Sequence, residues 1–251
     1  MSRSVSRRRK VMELRIGLVV VAVLGWYGAS AATPLIASPL DSVRALVDQA
    51  RAGALTADCA STLGAMLYGF VASVVIGIPI GYAIGRSRLI GAAFEPVIAS
   101  LFAVPRIIFY PLLLGVIGVG ATSKAWLAAI SAVFPIIIAT AGGVRQVAPI
   151  LSRLGSSLGS SRLKVAWKIV LPAALPPIMG GVRIGFGVAF VTVIIAELFV
   201  AASGLGLAVR DAYSQLNLAV MYGDILFIVA VAFVGSLALW AVERRLQAVS
   251  D

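Results

Sequence analysis

Six apolar stretches of membrane length, at about 15–33, 60–84, 94–118, 124–143, 178–202 and 222–242, run through this chain of 251 residues. A helix needs roughly 20 mainly apolar residues to cross a bilayer. Lipid offers no partner to a bare backbone amide, so a segment that crosses must satisfy its own hydrogen bonds, and a helix does so. With 61% hydrophobic and 12% charged residues, too little polar sequence remains to cover a soluble core of this size. These features predict an all-α, polytopic membrane bundle of about six transmembrane helices, built as one membrane domain over residues 1–251. Pro79, Pro105 and Pro111 fall inside the second and third spans, where each removes a backbone donor and favours a tilt or bend. Gly77, Gly81 and Gly85 recur every four residues, and Gly181, Gly185 and Ala189 form a second small face with Gly187 nearby. In lipid, such faces let helices approach closely, and ordinary packing accounts for them.

Orientation follows from Lys and Arg, which collect on the cytoplasmic side. With the N-terminus inside, sixteen basic residues lie cytoplasmic, while Arg44, Arg51, Lys124 and Arg210 lie outside and Arg106 lies within a span. Six crossings then return the C-terminus to the cytoplasm, where ERRLQ at 243–247 suits it. Residues 1–14 form a basic cytoplasmic tail that anchors on anionic lipid. The run from SRSVSRRRK into IGLVVVAVLGWYGASAA also has the build of a secretory signal peptide. Retained or cleaved, it puts residue 34 onward outside. Between the first two spans, the spacing predicts an amphipathic surface helix over about Leu40–Ala52. The outer loop at 203–224 is mildly polar and suits the mouth of a pathway.

The net charge of +11 sits mostly in loops beside apolar spans, so it speaks for membrane topology rather than for nucleic acid. One cysteine, Cys59, and no histidine leave no disulfide framework and remove the commonest general base and metal ligand. Paired intramembrane carboxylates and a nucleophile–base pair are also missing, which weighs against an enzyme. Two charges lie at depth, where they face a bundle interior or a wet cavity. Arg106, after Pro105, either offers positive potential to an anionic solute, or binds carbonyls freed by Pro105 and Pro111, or pairs with Glu197. Glu197 reads as a hydrogen-bond partner that fixes a helix, in preference to a coupling proton site. Pro105, Arg106 and Glu197 are the candidate pathway residues.

A basic island at 144–177 separates the fourth and fifth spans and carries Arg145, Arg153, Arg162, Lys164 and Lys168 without an acid. A connection this long between membrane helices is usually functional. Val147–Leu158 can form one helix, Gly159 can end it in a left-handed turn, and Ser160 or Ser161 can cap a second over Arg162–Val170. Leu171, ahead of Pro172, should then turn extended and stop the helix. The product is a stiff elbow with apolar Val165, Trp167, Ile169 and Val170 inside a basic rim. It suits either a groove on another protein or the lipid headgroups.

Gly159, nine residues, then Ile169-Val170-Leu171-Pro172 resembles the cytoplasmic signature of permease subunits of bacterial ATP-binding-cassette importers. That family's full pattern is Glu-Ala-Ala, three residues, Gly, nine residues, Ile-x-Leu-Pro. Here Arg153, Leu154 and Gly155 stand where Glu-Ala-Ala would, so an acid has become a base. VPRIIFYPLLLGVIGVGATSK at 104–124, VRIGFGVAFVTVIIAELF and the following SGLGLAV are similar to the branch that imports nitrate, sulfonates and taurine. The resemblance covers about residues 55–245. It implies a type I importer permease fold in the bacterial inner membrane, with Arg153, Leu154, Gly155, Gly159, Val165, Ile169, Leu171 and Pro172 coupling to an ATPase through the 147–172 elbow. It also implies a second permease subunit, as a homodimer or a heterodimer, two cytoplasmic ATP-binding-cassette subunits and a periplasmic or lipid-anchored solute-binding protein. The solute would be a small anion or a thiamine precursor. The chain has no GxxxxGK[ST] loop, so ATP and Mg²⁺ would sit on the partner, with no cofactor in this chain. A secondary transporter or channel without ATPase partners is the alternative, disfavoured by the lack of inverted repeats.

Overall fold

The computed structural model describes residues 2–157 and 159–250, with the side chains of 2–11, 152, 156 and 246–250 excepted. The side chains of the basic tail up to residue 11, and Leu158 at the expected end of the first elbow helix, therefore lie outside the described residues. The described residues form helices and their connections, with no strand among them. In chain order these are α1 (Ser2–Ala32), α2 (Pro39–Arg51), α3 (Ala54–Arg86), α4 (Arg88–Ala103), a 3₁₀ turn (Arg106–Phe109), α5 (Tyr110–Ile117) and α6 (Ala121–Gln146). The elbow follows as α7 (Pro149–Ser157), α8 (Arg162–Val165), a π-helical turn (Ala166–Val170) and α9 (Leu171–Ala173). Then come α10 (Leu175–Phe199), α11 (Leu205–Ser214) and α12 (Leu218–Ser250). Among the described residues, five helices are long and apolar enough to cross a membrane, and α4 with the Arg106–Ile117 arm makes a sixth span if that bent pair is taken as one.

The third apolar stretch, expected as one span at 94–118, is broken, and its two arms meet at 82°. Proline disfavours helical backbone in the residue before it. Val104, at φ −71° and ψ 130°, is extended accordingly, and Pro105 has no N–H to continue the ladder. Pro79, Pro96 and Pro135 stay inside their helices.

The chain divides into two compact units, Met1–Leu55 with Ala208–Ile228 and Thr56–Leu207 with Val229–Asp251. In the first, Ser38 caps α2 by accepting the Asp41 N–H at 3.1 Å, and Pro39 opens the helix. A helix is thus present where one is expected at Leu40–Ala52, one residue earlier. Gln49 donates to Asp224 at 2.9 Å, and Gly223 lies against the Ser42 carbonyl. Trp26 packs on Tyr222 and donates to the Ala37 carbonyl at 3.0 Å.

The second unit is organised on α6, whose Leu127, Ala128, Ala132 and Ile136 are fully buried. Both glycine faces turn toward it. A Cβ on Gly81 would strike Thr140, and one on Gly85 would strike the Ala141 carbonyl. From the other side, a Cβ on Gly181 would strike Ala139, and one on Gly185 would press on Ile136. These contacts fix directions. Along α3, Gly69 meets Ala125 and Gly85 meets Val144, so α3 and α6 run parallel. Gly143 meets Pro177, whereas Lys124 meets Glu197, so α10 runs antiparallel to α6.

Candidate functional site

The elbow is built as the sequence suggests as far as Ser161 and departs from it beyond. α7 ends in a left-handed turn, with Gly159 at φ +71° and the Ser160 N–H donating to the Gly155 carbonyl at 3.1 Å. That six-to-one bond is a Schellman end, which glycine enters without a Cβ penalty. Ser161 caps α8, its Oγ accepting the Lys164 N–H at 3.4 Å. Gly155 brings the two arms together: a Cβ there would lie 2.7 Å from Ile169 and 3.0 Å from Val165. Val165, at this contact, and Val170 are buried, while Leu154, Leu163 and Trp167 are exposed at 53%, 69% and 64%.

The expected stop at Pro172 does not occur. Leu171 is helical at φ −63° and ψ −44°, not extended, and its N–H reaches back five residues to Ala166. A proline inside an α-helix lacks a donor and drives its ring into the carbonyl four residues earlier, here that of Lys168. A π-helical turn opens the ladder at that place. The Ala174 N–H then bonds the Val170 carbonyl at 2.9 Å, and α10 starts directly at Leu175 with prolines in its first turn. Elbow and α10 are therefore joined through a single turn residue, Ala174.

At the other end of α10, Glu197 is wholly buried. Its carboxylate accepts from Lys124 Nζ at 2.7 Å, from Thr62 Oγ1 at 2.9 and 3.0 Å, and from the Gly206 N–H at 3.0 Å. Lys124, 2% exposed, uses its other two protons on Ser61 Oγ at 3.1 Å and the Ser203 carbonyl at 3.0 Å. Thr62 accepts from the Leu205 N–H at 2.9 Å, and the Gly204 N–H donates to Asp58 at 2.8 Å. Gly204, at φ +127°, lies against the Glu197 carboxylate where a Cβ would collide. The cluster ties the 203–206 turn to α3, α6 and α10. It supports the reading of Glu197 as a helix-fixing partner and names the partner as Lys124. The sequence counts Lys124 among the outer charges, at the first residue of the fourth apolar stretch. The missed signal was an opposite charge at matching depth on the neighbouring span.

Arg106 does not meet Glu197. Its guanidinium donates to the carbonyls of Phe102, Val104 (3.3 Å) and Ser131 (3.4 Å), and it stacks over the rings of Phe102 and Phe134. Two of these carbonyls, those of Phe102 and Val104, come from the end of α4 that is broken at Pro105, and the third comes from α6. Pro105, Arg106, Ser131 and Thr192 line a recess of about 360 Å³. Of the two expected pathway charges, one borders a cavity and the other is sealed in a structural pair.

Residues 73–248 match the family described as "Binding-protein-dependent transport system inner membrane component", and the chain belongs to that family. It is a multi-pass membrane protein, the permease subunit of an ABC importer, and a transport component rather than an enzyme. It is 37% identical over 187 residues to the taurine transport system permease protein TauC of Escherichia coli, across 74% of this chain and 68% of that one. It is 32% identical over 190 residues to the bicarbonate transport system permease protein CmpB of Synechococcus elongatus, across 73% and 68%. It is 29% identical over 192 residues to the nitrate import permease protein NrtB of Synechocystis, across 73% and 70%. The fold matches a chain of the inward-facing MetNI methionine ABC transporter with a TM-score of 0.66 at 18% identity, covering 74% of this chain and 93% of that one.

Proposed function

We propose that this chain forms the translocation pathway for a small anion in an ATP-driven importer, and that residues 147–173 receive the motion of a separate cytoplasmic ATPase. Two copies pair to enclose the pathway, each with an ATPase at its elbow, and a solute-binding protein delivers to the outer mouth. The observation that carries this reading is the elbow itself. Its arms are locked together at Gly155, its corner is fixed at Gly159, and it runs into α10 through one residue. A push on Leu163 or Trp167 thus reaches the core helix with little slack. ATP binding to the partner then shifts the bundle between two packings by contacts that differ in the two states. Leu154, Ile169, Leu171 and Pro172 belong to the same coupling surface, and Arg153 to the side of α7 that supports it.

An anionic solute is supported by the relatives named for taurine, nitrate and bicarbonate, and by Arg106. A guanidinium carries five N–H donors. Three carbonyls take one each, which leaves two for a ligand in the adjoining recess. Purification of the tagged chain from native membranes should recover an ATPase chain bearing a phosphate loop. Recovery of the permease alone, with solute uptake intact in the absence of any ATPase, overturns the reading.

A further inference from the structure

A cleft of about 750 Å³ lies between the ends of α3, α4 and α6 and the elbow helix α7. Four arginines line it: Arg86, Arg88, Arg145 and Arg153. Arg145 is neutralised by Glu95, in contact with it. Arg86, Arg88 and Arg153 have no carboxylate partner among the described residues, so three of the four arginines that line this cleft carry uncompensated charge, with Val144, Val147 and Val170 among the apolar residues beside them. Helix stability does not explain the set. Arg86, in the last turn of α3, suits that helix's dipole, but Arg88 opens α4, where a cation opposes it.

Like charges gathered this way repel unless an anion of matching charge joins them. Guanidinium is the side chain that grips phosphate oxygens in pairs. The place is also informative, because Arg86 and Arg88 flank the junction of two membrane helices, at the level of the lipid headgroups. Basic pockets between spans at that level bind phospholipid heads.

We propose that this cleft is a phosphate site filled from the bilayer by an anionic phospholipid headgroup, with Arg86, Arg88 and Arg153 as its ligands. A carboxylate projecting from a partner protein fits less well, since one short side chain would occupy little of the cleft and neutralise one of three charges. The bound headgroup bridges the end of the α3–α4 pair to α7, and so holds the elbow against the spans. This inference stands on the membrane placement alone and needs neither the solute nor the ATPase assignment.

The test is native mass spectrometry of the detergent-purified full chain, titrated with phosphatidylglycerol or with phosphatidylcholine. The wild-type chain should retain phosphatidylglycerol in preference to phosphatidylcholine. Arg86→Gln with Arg88→Gln should weaken phosphatidylglycerol retention roughly 30-fold, as expected for two basic residues at an anionic surface, with phosphatidylcholine unchanged. Both side chains are exposed and without an ion-pair partner among the described residues, so the variant should elute as the wild type does on gel filtration. Arg86→Lys with Arg88→Lys keeps the charge and should keep most of the retention. Equal phosphatidylglycerol retention in the Gln variant and the wild type overturns the proposal. Displacement of the lipid by inorganic phosphate alone would make this a free-anion site, and loss of a bound protein with lipid retention unchanged would make it a protein contact. Either result overturns the lipid assignment, and neither touches the importer reading.

Discussion

Both carboxylate oxygens of Glu197 are engaged, and so are all three protons of Lys124. Burying an ion pair gains little over burying apolar groups, but removing one member strands a charge and costs about 3–5 kcal/mol. Glu197→Gln keeps the shape and strands the Lys124 ammonium, so its melting temperature in detergent should drop by the most. Lys124→Met combined with Glu197→Met should lose less than Glu197→Gln alone, because no charge then remains buried. A double variant as unstable as the single one would mean that the pair does not act as a unit. Sequence reading reached one partner of this pair and not the other. Glu197 stood out because it lies deep in an apolar run. Lys124 was hidden because it sits at a span boundary, where a lysine usually anchors topology. Nothing in the sequence marks Gly204, because no local pattern says that a carboxylate packs where its Cβ would be.

The elbow shows what local rules reach at the scale of an element. Gly159 and Ser161 hold the roles their types favour, because a left-handed corner and a side-chain cap are decided within a few residues. Pro172 departs from its local expectation for the same reason. Its missing donor and ring clash are local facts, but chains relieve them in several ways, and here a π turn carries the helix past Pro172 while Val165 and Ile169 lie against Gly155 of α7. Two variants separate corner from contact. Gly159→Val places a β-branched residue at positive φ, where L-residues lose roughly 1–2 kcal/mol. Gly155→Leu leaves the corner intact and pushes Val165 and Ile169 away from α7. Both proteins should reach the membrane at normal levels, and both should lose solute uptake and co-purify less ATPase. Wild-type uptake from either one would show that the elbow is not a stiff link.

The spans show what the whole molecule adds. Their number was read from apolar length, but length alone is ambiguous at α4 and α5. At 1.5 Å per residue, the 16 residues of α4 span about 24 Å and the 8 of α5 about 12 Å, against a hydrocarbon core of about 30 Å. Helix direction resolves this. α3 and α6 run parallel, with Gly69 beside Ala125 and Gly85 beside Val144. The chain leaving α3 at Arg86 must therefore come back to the starting level of α6 before Ala121, and only α4 and α5 lie between. The bent pair is then a full crossing, and the 82° angle puts Pro105 and Arg106 part-way through it. Cysteine labelling tests this in intact cells, on a Cys59→Ser background that removes the native thiol. With the N-terminus inside, a membrane-impermeant maleimide should label Leu35→Cys and Leu216→Cys, both exposed, and should reach Ser160→Cys only after permeabilisation. If α4 and α5 instead dip in and return on one side, Ser160→Cys becomes accessible and Leu216→Cys protected while Leu35→Cys stays labelled. That pattern would place the elbow outside the cell, away from any ATPase. The positive-inside asymmetry and the parallel run of α3 with α6 both predict the first pattern, and they are independent, since one counts charges in loops and the other rests on glycines in the core.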